Sequence, residues 1–435
     1  MLKNSSRRRA CAQVSLVYSD QRGNLRIDPD LTAVGCNGSQ IEPADDTWID
    51  LPAGGELLLL PGRLPLGYSE KTGEIEAVEA LAGKEVTAVA AILPVGYTRL
   101  LLPGYEMKPG RAPKQELPLF GYTAVGSQNG QLKVAALQTD ALLKWNPVYY
   151  NTRDLPQLIG RKQQKHPKNR ILNQLAKCAL EYHCLTAQNI FYQRWEAGIP
   201  VSPGCNAGCL GCISKQPAEC CPAPQNRIQF IPTETEVAEL AVGHLAEAPE
   251  AIISFGQGCE GEPSLQKELL CNSIQNIRRH TVKGTINMNT NAGDTAAVIE
   301  LIAAGLDSVR VSLFSAIPEN YNWYHHPRGY QLEDVKNSLK EAHRAGINTA
   351  LNLLLFPGFT NQPAETEALV ELIAETGVSQ LQLRNLNLDP EKLAEKTNNG
   401  CVSQNAGVKT VSQWLLGLQN RFPKLLIGNY SRPKT

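Results

Sequence analysis

The sequence predicts an α/β fold: a partial TIM-type (βα)6 barrel, with an N-terminal mainly β domain and a helical connector. Two observations predict it. From residue 199 onward, about six short β-branched or leucine-rich runs alternate with helical stretches, and repeated βα units form a parallel sheet or barrel. Before residue 150, short β-prone runs end at Pro or Gly without helical stretches between them. The 435 residues are enough for two or three domains.

We divide the chain into a β-rich domain of unknown role (1–150), a basic connector and helix (151–198), the barrel core (199–390) and a C-terminal helical extension (391–435). In the first segment, Asn129-Gly130 between two alternating runs predicts a tight hairpin turn. In the second, "GRKQQKHPKNR" predicts a solvated connector, with an RNA or acidic-partner contact as the alternative. Near the end of the chain, "KLLIGNY" has the composition of one more strand.

Charge and hydropathy exclude several classes of protein. Lys plus Arg and Asp plus Glu are equal at 42 each, so no net field draws the chain to nucleic acid or to an acidic membrane. No apolar run approaches the roughly 20 residues that span a bilayer. The basic N-terminus lacks the apolar segment of a secretory signal. We expect a cytoplasmic protein with no membrane and no DNA partner.

The cysteines point to metal or redox chemistry. Of 12 cysteines, most lie between residues 178 and 259, and clustering in a reducing compartment indicates metal binding more than disulfides. The stretch "SPGCNAGCLGCIS" brings Cys205, Cys209 and Cys212 into one glycine-rich loop. It follows the brief apolar run "GIPV", so we place it in the first loop at the C-terminal ends of the strands, the active face of βα barrels.

Three thiolates without an obvious fourth ligand fit an iron–sulfur cube that keeps one open iron. Zinc is the alternative, because Cys220 or Cys221 in "PAECCPAP" could complete four ligands. Buried or disulfide-linked thiols are the third interpretation of these cysteines.

The spacing Cys205-x3-Cys209-x2-Cys212 on the first loop of a βα barrel resembles the radical S-adenosylmethionine (SAM) superfamily. The resemblance covers about residues 199–390, and the rest of the chain resembles no family. It implies a [4Fe–4S] cluster that chelates SAM, a reductant such as flavodoxin or ferredoxin, and cleavage of SAM to a hydrogen-abstracting 5′-deoxyadenosyl radical. One position departs from the pattern: the residue before the last cysteine is commonly aromatic, and here it is Gly211.

The second loop, "SFGQGCEGEP", extends the resemblance. Its Gly261-Glu262-Pro263 is similar to the Gly-Glu-Pro ending whose acid holds the SAM amine in that superfamily. The resemblance implies this role for Glu262, with Glu260 as the second candidate. Gly258 and Gly261 let backbone groups approach a ligand. A surface turn is the alternative for this stretch taken alone.

Later strand ends supply the remaining cofactor candidates. Period-two alternation directs Arg310 and Ser312 into the barrel, where a buried arginine needs an anion: a carboxylate of SAM, of the substrate or of Glu262. The resemblance implies further SAM contacts, with helix capping as the alternative for Asn291. The candidates are Asn289, Thr290, Asn291, Ser312 and, for adenine, Leu355 or Phe356.

The motifs do not identify the substrate, and no catalytic side chain is assigned. Arg328, Arg384 and Asn387 are candidates for substrate contact, and "YNWYHHPRGYQ" for a lid. A second cluster or a redox pair would use Cys220, Cys221 and Cys259. We expect a radical SAM enzyme acting on a peptide, a protein or RNA, or activating a radical enzyme. The competing hypothesis is a zinc-stabilised, non-catalytic binding protein.

Overall fold

A computed structural model describes residues 13–108, 116–141, 143–215, 225–396 and 408–434. The N-terminal region is antiparallel: thirteen of its strands form one sheet and two form a second. Its strands are β1 (Ser15–Asp20), β2 (Leu25–Asn37), β3 (Gln40–Pro43), β4 (Ile49–Asp50), β5 (Glu56–Leu60), β6 (Arg63–Ser69), β7 (Glu74–Ala77), β8 (Ala80–Leu81), β9 (Lys84–Ile92), β10 (Tyr97–Arg99), β11 (Leu102–Pro103), β12 (Tyr105–Met107), β13 (Val125–Gln128), β14 (Gln131–Val134) and β15 (Ala136–Gln138). The predicted β-rich region is therefore present.

The hairpin predicted at Asn129-Gly130 joins β13 to β14, with Gln128 opposite Gln131. Asn129 has φ 53° and Gly130 has φ 78°. Two central residues with positive φ match the right-handed twist of the flanking strands, which is why Asn-Gly suits this turn.

The connector is more helical than predicted. A short 3₁₀ helix (Pro147–Tyr149) precedes α1 (Leu155–Lys165), α2 (Arg170–Leu180) and α3 (Leu185–Tyr192). Most of "GRKQQKHPKNR", predicted to be a solvated connector before the helix, lies in the second half of α1. Leu155 and Ile159 bury one side of that helix, Arg161 and Lys165 are exposed, and Lys162 Nζ donates to Ile190 O at 2.8 Å.

The third region is a curled parallel sheet of seven strands in chain order. These are β16 (Glu196–Gly198), β17 (Ile252–Phe255), β18 (Thr285–Thr290), β19 (Ser308–Leu313), β20 (Asn348–Leu355), β21 (Gln380–Asn385) and β22 (Leu426–Gly428). The helices among them are α4 (Glu234–Glu247), α5 (Lys267–His280), which a 3₁₀ turn (Pro263–Gln266) precedes, α6 (Thr295–Ala304), α7 (Pro318–His325), α8 (Leu332–Arg344), α9 (Pro363–Thr376), α10 (Pro390–Lys396) and α11 (Val411–Arg421). The predicted partial barrel is confirmed, with seven strands rather than six because "KLLIGNY" adds β22.

Alternation along the barrel strands separates an apolar outer layer from a polar interior. Val309, Val311 and Leu313 of β19 are buried among the helices, while Arg310 faces inward. Among the helices that the structure describes, none is long and apolar enough to cross a membrane.

The β region packs against the C-terminal ends of β20 and β21. Arg99, which is fully buried, donates to the backbone oxygens of Leu355 (3.0 Å) and Leu386 (3.1 Å). Arg63 forms a buried ion pair with Asp389 at 3.0 Å. Because breaking such a pair leaves an uncompensated buried charge, these contacts fix the β region to the mouth of the barrel.

Candidate functional site

The cysteine loop follows β16 and rests on the end of α7. Gly208 N donates to His325 O at 2.9 Å, and Leu210 N donates to Tyr324 O at 3.0 Å. Arg328 braces the same loop from outside, since its guanidinium donates to Cys205 O at 2.7 Å. The stretch predicted as a lid therefore supports the cysteine loop through backbone hydrogen bonds. Arg328, predicted to contact substrate, contacts the backbone of this loop instead.

Cys205, Cys209 and Cys212 are half-buried free thiols that lie close enough to influence a neighbour's pKa. Burial raises the pKa of Cys209, and the neighbouring Cys212 and Cys205 raise it further. Burial likewise raises the pKa of Cys205, with Glu262 and Cys212 adding to the shift. Cys205 and Cys209 therefore need a cation or a metal nearby before they become thiolates.

The cysteine loop offers three thiols as metal ligands. Among the described residues, no three His, Cys, Asp or Glu side chains converge as ligands of one metal ion. Zinc would need a fourth protein ligand at the same centre, whereas each cysteine of a cube binds a different iron. Cys220 and Cys221, the proposed extra zinc or second-cluster ligands, lie outside the described residues.

The structure explains why position 211 lacks an aromatic side chain. A Cβ at Gly211 would lie 2.5 Å from Tyr324 Oη and 2.7 Å from Asn387 O. The Tyr324 ring, on α7, occupies the space beside the cysteine loop that a side chain at 211 would need. Gly211 thus departs from the family pattern at a place where Tyr324 of α7 supplies an aromatic ring instead.

Glu260 ties the first two loops together. Its buried carboxylate accepts from Val201 N (2.8 Å) and Ser202 N (3.0 Å) before the cysteine loop, and from Gly256 N and Gln257 N in its own loop. Burial raises the pKa of Glu260 to about 8, although these amides oppose the shift. Four backbone donors occupy this carboxylate, so it positions the loops.

Glu262, at the end of the second loop, is a buried acid whose carboxylate is fully engaged by neighbouring donors. Its carboxylate accepts from Thr290 Oγ1 (2.6 Å), Asn291 N (2.8 Å) and Ser264 N (3.1 Å). Burial raises its pKa, and these donors work against the rise. The Ser264 hydroxyl also hydrogen-bonds this carboxylate, so four donors from β18 and from its own loop hold Glu262 in place.

Residues at the end of β18 connect the cysteine loop to the second loop by hydrogen bonds. Asn291 Nδ2 donates to Asn206 Oδ1 in the cysteine loop at 2.6 Å. Asn289 Nδ2 donates to Gly256 O at 3.2 Å, while its Oδ1 accepts from Arg310 Nε at 2.5 Å. Thr290 and Asn291 therefore surround Glu262, and Asn289 lies deeper, toward the barrel interior.

The anion that Arg310 requires is Glu196, which sequence reasoning missed. Arg310 Nη2 lies 2.8 Å from Glu196 Oε1, and both side chains are buried. The expectation that SAM, the substrate or Glu262 would supply this carboxylate was wrong. Glu196 stands in a three-residue strand within "QRWEAG", where nothing in the pattern distinguished a strand from the end of the preceding helix. Ser312, two residues beyond Arg310 on β19, is half-buried.

Leu355 is in the wrong register for the adenine contact predicted for it. It belongs to the apolar core with Leu351 and Leu353, packed against α9. Leu354 and Phe356 instead belong to the apolar cluster at the barrel mouth, which also contains Cys209. Successive strand residues face opposite sides, so Phe356, the second candidate, and Leu354 lie on the side of the cysteine loop.

The other two substrate candidates lie at or inside the mouth. Arg384 donates to three neutral amide oxygens, those of Asn352, Asn429 and Gln382. Burial and the nearby Arg310 lower the pKa of Arg384 to about 10. Asn387 is half-buried beside Gly211.

Cys259, a candidate for a second cluster or redox pair, is buried outside the cysteine loop. Its thiol hydrogen-bonds that of Cys178 on α2. It does not converge with Cys205, Cys209 and Cys212 on a single-ion site in the described part of the chain.

Residues 199–373 match the family model described as the radical SAM superfamily. No curated protein matches the chain.

Among solved structures, Streptococcus suis SuiB bound to precursor peptide SuiA is 11% identical over 60% of this chain and 53% of its own, with a TM-score of 0.36. Methylornithine synthase (PylB) is 14% identical over 64% of this chain and 75% of its own, with a TM-score of 0.38. HydG from Carboxydothermus hydrogenoformans is 17% identical over 66% of each chain, with a TM-score of 0.35. This chain thus spans about half the length of SuiB.

Proposed function

Because residues 199–373 belong to the radical SAM superfamily, whose members use a [4Fe–4S] cluster and SAM, we propose that Cys205, Cys209 and Cys212 hold that cluster and that Glu262 holds the SAM amine. One observation carries the proposal. The loop with the three thiols is joined to Glu262 through direct contacts: Glu262 N donates to Gly204 O at 2.8 Å, and Asn291, which binds the Glu262 carboxylate, also binds Asn206.

In this proposal the residues of the chain bind the cofactors, orient SAM and shield the reactive centre from water. A cluster and SAM, once bound, would supply reductive cleavage of SAM and hydrogen abstraction by the resulting radical. Thr290 and Asn291 orient Glu262 toward the ammonium group, and Glu260 fixes the two loops relative to each other. Leu354 and Phe356 provide apolar cover at the mouth, where exclusion of water protects a radical from stray hydrogen donors.

We place the substrate at the barrel mouth, beside Arg384 and Asn387, under the β region. A peptide or protein suits this architecture best. The strand order of the main β sheet ends at β12 and β4, and sheet edges pair with extended peptides. RNA is disfavoured by the neutral overall charge, and activation of a radical enzyme is the third alternative. The electron donor would be a flavodoxin or ferredoxin in the reducing cytoplasm.

The decisive experiment is anaerobic reconstitution with iron and sulfide. We expect a brown protein that binds roughly four iron and four sulfide and, with dithionite and SAM, releases 5′-deoxyadenosine. Cys205→Ala, Cys209→Ala and Cys212→Ala should each lose the cluster and the product. Cys271→Ala is the matched control, because this half-buried thiol lies on α5. A colourless protein with one zinc would overturn the proposal and support the binding-protein alternative.

A further inference from the structure

We propose that His325 donates an N–H···S hydrogen bond to Cys209 and thereby raises the reduction potential of the cluster. This inference rests on the proposed function, in which Cys209 is a cluster ligand. His325 is the last residue of α7, and its Nδ1 lies 3.3 Å from Cys209 Sγ. Sulfur is a large acceptor, so this separation is hydrogen-bonding distance for an N–H donor.

The direction of the bond follows from the other ring nitrogen. Phe314 N donates to His325 Nε2 at 3.2 Å, so Nε2 must be an acceptor and carry no proton. In a neutral imidazole the proton then resides on Nδ1, the atom that faces the sulfur. A doubly protonated ring would point its Nε2–H at the Phe314 N–H. The backbone of β19's end therefore selects the tautomer that can donate to Cys209.

Packing prevents the His325 ring from rotating away from Cys209. His325 is fully buried, with the Tyr321 ring at a centroid distance of 4.4 Å and the Tyr324 ring edge-on at 4.9 Å. Its backbone oxygen accepts from Gly208 N at 2.9 Å, which ties the residue to the cysteine loop on a second side. Packing on the ring and bonding at Nε2 thus pre-orient the Nδ1–H bond.

A fixed donor at a ligand sulfur changes the two redox states unequally. Reduction adds negative charge that spreads onto the sulfurs, and a hydrogen bond to a more negative acceptor is stronger. The reduced state gains more from His325 than the oxidised state does, so the bond raises the potential. His325 acts through Cys209 and is a positioning residue.

The test is EPR-monitored redox titration of the reconstituted protein. His325→Phe keeps an aromatic ring between Tyr321 and Tyr324 and removes the donor, so we expect a more negative midpoint potential. His325→Asn places an amide N–H near the position of Nδ1 and should restore most of the wild-type value. His326→Asn is the matched control: this exposed neighbour has φ 42°, which Asn tolerates, and its substitution should leave the potential unchanged.

An unshifted potential in a cluster-bearing His325→Phe protein would overturn the inference while leaving the proposed function intact. Failure of the wild-type protein to form a cluster would instead overturn the proposed function. Should His325→Phe not take up the cluster, pulsed EPR of reduced wild-type protein labelled with ¹⁵N-histidine decides. We expect a ¹⁵N hyperfine coupling from His325, because it is the histidine that hydrogen-bonds a thiol of the loop among the residues that the structure describes. No coupling would refute the bond.

Discussion

Glu196 Oε1 and Arg310 Nη2 lie 2.8 Å apart inside the barrel and join its first strand to its fourth. Ser254 Oγ donates to the same carboxylate at 2.7 Å, and Ser431 Oγ, beyond the last strand, donates to its other oxygen at 2.5 Å. Burial alone would raise the pKa of Glu196, but Arg310 and the two hydroxyls lower it to about 2. Glu196 is therefore charged at neutral pH and links both edges of the open barrel.

Glu196→Gln should destabilise the protein by about 3–5 kcal/mol, because it leaves the Arg310 charge buried without a counter-ion. Urea denaturation monitored by circular dichroism gives the unfolding free energy. The double variant Glu196→Gln/Arg310→Gln should lose less than the sum of the two single variants. As a control, Glu300→Gln breaks an exposed pair with Lys267 and should cost less than about 1 kcal/mol. Equal costs for the two glutamine variants would contradict the assignment.

The main features of the candidate site could be proposed from the sequence because they depend on short-range patterns. Three cysteines within eight residues and Gly-Glu-Pro after a β-prone run are readable without knowing the fold. Strand–helix alternation likewise predicted the parallel barrel. Glu262 lies beside Thr290 and Asn291, because residues at the ends of adjacent parallel strands meet at one edge.

What escaped prediction depends on partners far apart in the chain. Glu196 pairs with a residue 114 positions away, and its strand has only three residues. Leu355 was assigned to the wrong face because a run of leucines gives no alternation from which to read the register. His325 stood in a motif read as a lid, since only the folded chain brings α7 under the cysteine loop.

Glu262→Gln should weaken SAM binding about ten- to a hundredfold, because a neutral amide loses the charge-assisted bond to the ammonium group, worth about 1.5–3 kcal/mol. Anaerobic equilibrium dialysis with radiolabelled SAM measures the effect on cluster-loaded protein. Glu268→Gln, an exposed change in the first turn of α5, serves as the control and should bind SAM as wild type does. Unchanged affinity in Glu262→Gln would assign the amine to another residue.

Gly261→Ala should abolish SAM binding and reduce cluster uptake. A Cβ at this position would overlap the backbone oxygen of Gly204, so the second loop would have to move away from the cysteine loop. Iron content and 5′-deoxyadenosine release report the loss. The matched control is Gly243→Ala in α4, where a Cβ meets nothing within 4 Å. That change should stabilise the protein by roughly 0.5–1 kcal/mol. Normal cofactor loading in Gly261→Ala would show that the loops tolerate separation.

The unfolding free energy should carry a pH dependence that originates at His244. This side chain is fully buried, and burial lowers its pKa to about 4, despite a 2.8 Å bond to Trp195 O that opposes the shift. Below its ordinary pKa near 6.5 the unfolded chain binds a proton that the folded one does not, so stability is lost as pH falls from about 6.5 to 4. The slope reaches about 1.4 kcal/mol per pH unit, or about 3 kcal/mol in all.

His244→Gln isolates this contribution, because its amide keeps a donor toward Trp195 O but does not titrate. Glu260, whose raised pKa of about 8 gives stability that increases as pH falls toward 4.5, is common to both proteins and cancels in the comparison. Urea denaturation between pH 4.5 and 7.5 should therefore show wild type losing stability relative to His244→Gln as the pH decreases. The exposed change His280→Gln should leave the wild-type profile unaltered. Parallel profiles for wild type and His244→Gln would show that His244 titrates normally in the folded protein.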